Sequence, residues 1–134
     1  MNLWIHQYWK TIVWSFVILF LSNMPGGSIH RVSFIEIPHL DKFVHFSMYF
    51  ILTTLFYSDT FKKAKIENKK TIFYIIIVSI FYGVLMELFQ KYFADHRSAD
   101  IFDALANTIG VFSAILFLKI RLYKKWLMNI LDFI

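Results

Sequence analysis

Two carboxylates, Glu87 and Asp103, each stand inside an apolar run of this chain. Insertion scales put a charged side chain at the centre of a bilayer helix at roughly +2.5 to +3.5 kcal/mol, so an ionisable group there is by default a functional one. A carboxylate held in such a place can act as a general base or receive a cation, an amine or a sugar hydroxyl. His45 is a proton carrier by residue type. Lys42 and Arg97 can pair with phosphate, the arginine in bidentate fashion. Asp103, Glu87 and His45 are therefore the candidates for any catalytic role.

The spacing gathers these residues into stripes. Asp41, His45 and Tyr49 recur every four residues. Gly83, Glu87 and Gln90 follow at steps of four and three, and Asp100, Asp103, Asn107 and Gly110 at steps of three, four and three. Residues three or four apart share a helix face. Three segments thus each present one polar stripe, and the expected ligand-binding set is Asp41, Lys42, His45, Tyr49, Glu87, Gln90, Arg97, Asp100, Asp103 and Asn107.

Each of these also has a plain structural reading. Asp41 follows Pro38 and can cap a helix. Asp100 follows Ser98 and suits a first turn through the helix dipole. Asn107 can be a strut between helices. Lys42 can snorkel, Arg97 can mark an interface, and His45 can be a satisfied core histidine. Glu87 and Asp103 resist such readings best, because apolar residues surround both. His30, His39 and His96 read as loop residues, and Trp4, Trp9 and Trp14 as interface anchors or lipid-facing bulk.

The elements that must carry the stripes follow from composition. Of 134 residues, 58% are hydrophobic and only 17% charged, with mean hydropathy +0.57. That is greasier than a soluble domain and points to a small integral membrane protein of one domain, residues 1–134. No cysteine is present, which excludes disulfides and thiolate metal sites. The net charge of +5 falls mainly in two places. Lys62, Lys63, Lys65, Lys69 and Lys70 share one linker, and Lys119, Arg121, Lys124 and Lys125 follow the last apolar run. This is the positive-inside pattern, and it argues against nucleic acid as a partner.

Four spans are expected, about 9–23, 41–57, 71–90 and 100–119. A span needs about 20 residues, so the first two must draw in flanking polar residues such as Lys10 and Lys42. The first run lacks a small-x-small cleavage site and reads as a retained helix, not a signal peptide. The basic linker and tail belong on the cytoplasmic side, with both termini. The fold class is then all-α, a four-helix membrane bundle whose polar stripes meet in an outward-facing pocket. Residues 121–134 read either as an interfacial amphipathic helix or as an extension of the last span.

The three motifs together resemble the VanZ-like family of bacterial membrane proteins. They are D-K-F-V-H over 41–45 with Tyr49, then Gly83, Glu87 and Gln90, then Arg97, Asp100, Asp103, Asn107, Thr108 and Gly110. Their order and spacing match over about residues 10–120. The resemblance implies a multi-pass protein of the bacterial plasma membrane, in a family whose founding member is associated with resistance to the glycopeptide teicoplanin. It supplies no reaction.

The leading functional expectation is a protein that binds or modifies an envelope lipid, a lipid-linked cell-wall precursor or a glycopeptide-like ligand. An intramembrane enzyme acting on a lipid phosphate or headgroup is the alternative, although no nucleophile stands out; Ser47 and Ser98 sit in no recognisable motif. Proton-coupled transport is weaker. Four short spans would call for a homodimer, and the inner halves of runs two to four read as almost wholly apolar. Glu87, Asp100, Asp103 and His45 offer hard ligands for a metal, but one histidine with carboxylates on two helices is not a diagnostic set. No metal and no cofactor is expected.

Overall fold

A computed structural model describes residues 3–23, 40–62, 68–93 and 100–131 of the chain. Those residues form four helices: α1 (Leu3–Ser22), α2 (Leu40–Phe61), α3 (Lys69–Phe93) and α4 (Ile101–Leu131). No strand occurs among them. Arg97, His30, His39 and His96 lie outside the described residues, as does the side chain of Trp4.

Local chemistry starts two of the helices. Asn68 Oδ1 accepts the Lys70 N–H at 2.9 Å, and the Asn68 carbonyl takes the Ile72 N–H at 3.1 Å, so Asn68 caps α3. Asp100 does the same for α4. Its Oδ1 accepts the Phe102 N–H at 2.9 Å, and its carbonyl takes the N–H groups of Asp103 and Ala104 at 3.0 and 3.2 Å. Each satisfies backbone donors that a helix start leaves open. Asp41, expected ahead of its helix as a cap, instead lies in the first turn of α2. A negative charge there still meets the positive end of the helix dipole. α1 carries a kink at Tyr8, whose φ of −103° and ψ of 15° are not helical.

α3 and α4 contain the stretches Lys69–Tyr92 and Ile101–Tyr123, both long and apolar enough to cross a membrane. The helices of the two shorter runs have 20 and 22 residues. α4 passes through residues 121–131 without a break, so that stretch prolongs the helix.

Packing centres on α2, which makes its most extensive contact with α4 and also touches α1 and α3. Two apolar clusters lie one above the other. Ile18, Met48, Tyr49, Leu52, Met86 and Val111 form the first, nearer the polar stripes. Tyr57, Ile72, Ile75, Ile115 and Leu118 form the second. Many of the largest apolar side chains point outward instead: Phe16, Phe20, Phe43, Phe73, Phe81 and Phe102 are all more than 60% exposed. A water-soluble surface rarely spreads aromatic side chains this widely. With polar residues inside and phenylalanines outside, the surface suits hydrocarbon.

α2 and α4 come together through Gly110. A Cβ at that position would run into the Phe46 carbonyl oxygen and lie 3.1 Å from the Phe50 nitrogen. Glycine lets the two backbones meet, as small residues do between membrane helices. Trp14, expected at the membrane interface, turns inward, and its indole N–H donates to the Met48 carbonyl at 3.0 Å, tying α1 to α2. Trp9 stays exposed.

Candidate functional site

The beginnings of α2 and α4 and the end of α3 lie together at one end of the molecule. Lys42 reaches from the first turn of α2 to the start of α4. Its Nζ lies 2.5 Å from Asp100 Oδ2 and 2.5 Å from Asp103 Oδ1, with Asp41 Oδ2 at 3.9 Å. Asp100 thus caps α4 with one oxygen and holds Lys42 with the other.

One turn deeper is His45, only 5% exposed. Its Nδ1 is 3.1 Å from Asn107 Oδ1 and 3.5 Å from Glu87 Oε1. Its Nε2 faces the other way, 3.9 Å from Asp41 Oδ1 and 3.8 Å from Asp103 Oδ2. Asn107 Nδ2 donates to Glu87 Oε1 at 3.2 Å. The Asn107 amide therefore joins histidine on α2 to carboxylate on α3. His45, Glu87, Asp103 and Asn107 are all buried.

Four carboxylates, those of Asp41, Glu87, Asp100 and Asp103, thus gather around one ammonium and one imidazole. With all carboxylates ionised, negative charge exceeds positive even when His45 is protonated. Glu87 and Asp103 are the buried members, while Asp41 and Asp100 stand partly exposed at the rim. Two polar atoms beside the cluster's residues also lack hydrogen-bond partners: Glu87 Oε2 and Gln90 Nε2. Asp41 Oδ1, His45 Nε2 and Asp103 Oδ2 are grouped closely enough to share a cation.

Of the expected site residues, Asp41, Lys42, His45, Glu87, Asp100, Asp103 and Asn107 come into one connected cluster. Tyr49 lies one turn below His45, its ring against Gly83, where a Cβ would come within 3.2 Å of Tyr49 Cε1. The Tyr49 hydroxyl is buried without a hydrogen-bond partner. Gln90 is buried on α3. Lys42, expected to be offered to a phosphate, is engaged with Asp100 and Asp103.

The far halves of the helices are less apolar than the runs suggested. Thr53, Tyr57 and Ser79 bury hydroxyls that have no hydrogen-bond partner. Asp59, not singled out from the sequence, is 3% exposed and anchors α1. Its Oδ2 accepts from Thr11 N–H at 3.2 Å and Thr11 Oγ1 at 2.8 Å, and its carbonyl accepts from Gln7 Nε2 at 3.1 Å. It stands in the sequence between an apolar run and a lysine-rich linker. Its partners lie 48 and 52 residues away, so spacing carried no sign of them.

The profile of the VanZ/LLP1 family matches residues 1–122. An uncharacterized protein of Schizosaccharomyces pombe is 33% identical over 121 residues, which cover 90% of this chain and 70% of the yeast protein. No solved structure matches the chain. Kinship with a fungal protein means that family membership alone does not assign a bacterial envelope. The profile spans all three polar motifs and most of the chain, and the chain belongs to the VanZ/LLP1 family.

Proposed function

We propose that this is a multi-pass membrane protein of four spans, with both termini cytoplasmic, whose polar cluster opens outward and holds the headgroup of an envelope lipid. A lipid-linked cell-wall precursor or a glycopeptide-like ligand would present the same chemistry: a charged or hydroxyl-rich head beside an apolar body. The carrying observation is that, among the described residues, buried Glu87 Oε2 and Gln90 Nε2 have no hydrogen-bond partner. An amine or sugar hydroxyl would meet the carboxylate oxygen, and an acceptor on the ligand would meet the amide. The exposed phenylalanines of α2, α3 and α4 would place the cluster at the depth of lipid headgroups.

A titration tests this reading. Purified protein in detergent is titrated with short-chain phosphatidylethanolamine, which carries amine and phosphate, and with the matching diacylglycerol, which carries neither. Saturable binding of the first alone, weakened at least tenfold by Glu87→Gln, supports the reading. Equal response to both lipids counts against it.

One observation favours a second reading, an intramembrane enzyme acting on a lipid-linked phosphate or headgroup. His45 stands between Glu87 and Asp103, which is the arrangement a proton shuttle needs. Proton-coupled transport gains some support from the buried hydroxyls of Thr53, Tyr57 and Ser79 beyond the cluster.

A further inference from the structure

We propose that Asp41, His45 and Asp103 form a divalent-cation site, with Asn107 and Glu87 orienting the histidine from behind. The argument begins with the amide of Asn107. Asn107 Nδ2 faces Glu87 Oε1 at 3.2 Å, the orientation that suits an ionised Glu87, which only accepts hydrogen bonds. That turns Asn107 Oδ1 toward His45 Nδ1 at 3.1 Å. Both neighbours of Nδ1, Asn107 Oδ1 and Glu87 Oε1, are then acceptors, so Nδ1 carries the hydrogen. In neutral His45 the lone pair lies on Nε2.

Nε2 looks onto two more oxygens, Asp41 Oδ1 at 3.9 Å and Asp103 Oδ2 at 3.8 Å. These distances are too long for hydrogen bonds. A lone pair facing two anionic oxygens is repulsive, and either a second proton on the imidazole or a cation between the three atoms removes that repulsion. One ligand atom from each of Asp41, His45 and Asp103 lies within 4.8 Å of the other two. Ligand atoms held about 2.0–2.2 Å from a zinc-sized ion stand roughly 3–4 Å apart, so little closing is required.

Lys42 does not occupy this place. It takes the opposite oxygens of the same two aspartates, Oδ2 of Asp41 and Oδ1 of Asp103. Its hydrogen bond to Oδ1 leaves Asp103 Oδ2 toward the histidine. The Nδ1 hydrogen bond to an amide or carboxylate oxygen is the support that metal-bound histidines commonly have. Asp41 is the exposed member of the three and gives the ion an approach from solvent.

One histidine and two carboxylates, each giving one atom, suit zinc or manganese and leave coordination positions for water or a ligand oxygen. Asp100 and Glu87, hard ligands by residue type, are not part of this set. Asp100 is taken up by Lys42 and the cap of α4, and Glu87 lies on the Nδ1 side. The inference concerns the chain alone and does not rest on a lipid ligand.

The test is a titration of lipid-free protein in detergent with Mn2+, followed by loss of the free-ion paramagnetic resonance signal, with Zn2+ as competitor. One ion per chain is expected, displaced by Zn2+. Asp41→Asn, His45→Gln and Asp103→Asn should each weaken binding at least tenfold. Asn107→Leu keeps all three donor atoms and should still weaken it about 10- to 100-fold. Asp59→Asn, at the far end, should bind like the wild type. If Asp103→Asn does not fold, Asp41→Asn carries the test, since Asp41 is exposed. No stoichiometric uptake of either ion by folded wild type overturns the proposal. Wild-type affinity in both Asp41→Asn and His45→Gln does so as well. Either failure would leave the headgroup reading standing, because that reading is tested with lipid.

Discussion

Lys42 Nζ lies 2.5 Å from Asp103 Oδ1 and so ties the first turn of α2 to the first turn of α4 across 61 residues of sequence. The same ammonium holds Asp100 Oδ2. It neutralises part of the acid that converges at this end of the molecule, and it orients both aspartates of α4.

Lys42→Met should therefore destabilise the protein. The loss comes chiefly from Asp103, which is buried and left without its ammonium partner, and little from the exposed Asp100. Thermal unfolding in detergent measures it. Adding Asp103→Asn to Lys42→Met should recover part of the loss, because the most buried of the uncompensated charges is then gone. A double variant less stable than the sum of the two single ones would contradict the pairing.

Gly110→Ala should loosen α2 from α4. The new methyl group meets backbone, the Phe46 carbonyl and the Phe50 nitrogen, and backbone cannot swing aside. Overpacking of this kind costs about 1–3 kcal/mol. Gly83→Ala should be milder, since its closest neighbour is the edge of the Tyr49 ring at 3.2 Å. Unfolding temperatures of the two variants, measured side by side, check the order.

The sequence carried much of this site and less of its wiring. Steps of three and four placed Asp41 with His45, and Asp103 with Asn107, on single helix faces, because helical period is a local property. Glu87 and Asp103 stood out because a charge in an apolar run has few places to go. Which partner each would take was not legible, since Lys42 could reach either end of α4 or a ligand. Trp14 shows the same limit. An indole suits a membrane interface, and only the approach of α1 to α2 offered the Met48 carbonyl instead. Asp59 was missed for a related reason: its partners Thr11 and Gln7 belong to α1, and no spacing links them.

The expected topology has a direct check. Lys62, Lys69 and Lys70 flank the segment that joins α2 to α3, and positive charge favours the cytoplasmic side. A phosphatase reporter fused after Lys65 should stay inactive, and a fluorescent protein fused there should fold and fluoresce. An active exported phosphatase would reverse the orientation and put the acidic cluster at the inner face.

The most direct test of the central claim is to identify by mass spectrometry the lipids that stay bound through purification. Wild type and a folded Asp103→Asn variant are compared, beside whole-lipid extracts of the cells expressing them. We expect one headgroup class to be retained by the wild type and missing from the variant, with the two cell extracts alike. A cell extract altered only by the wild type would instead point to turnover of that lipid. The same lipids in the same amounts on both proteins would contradict a headgroup site at Asp103.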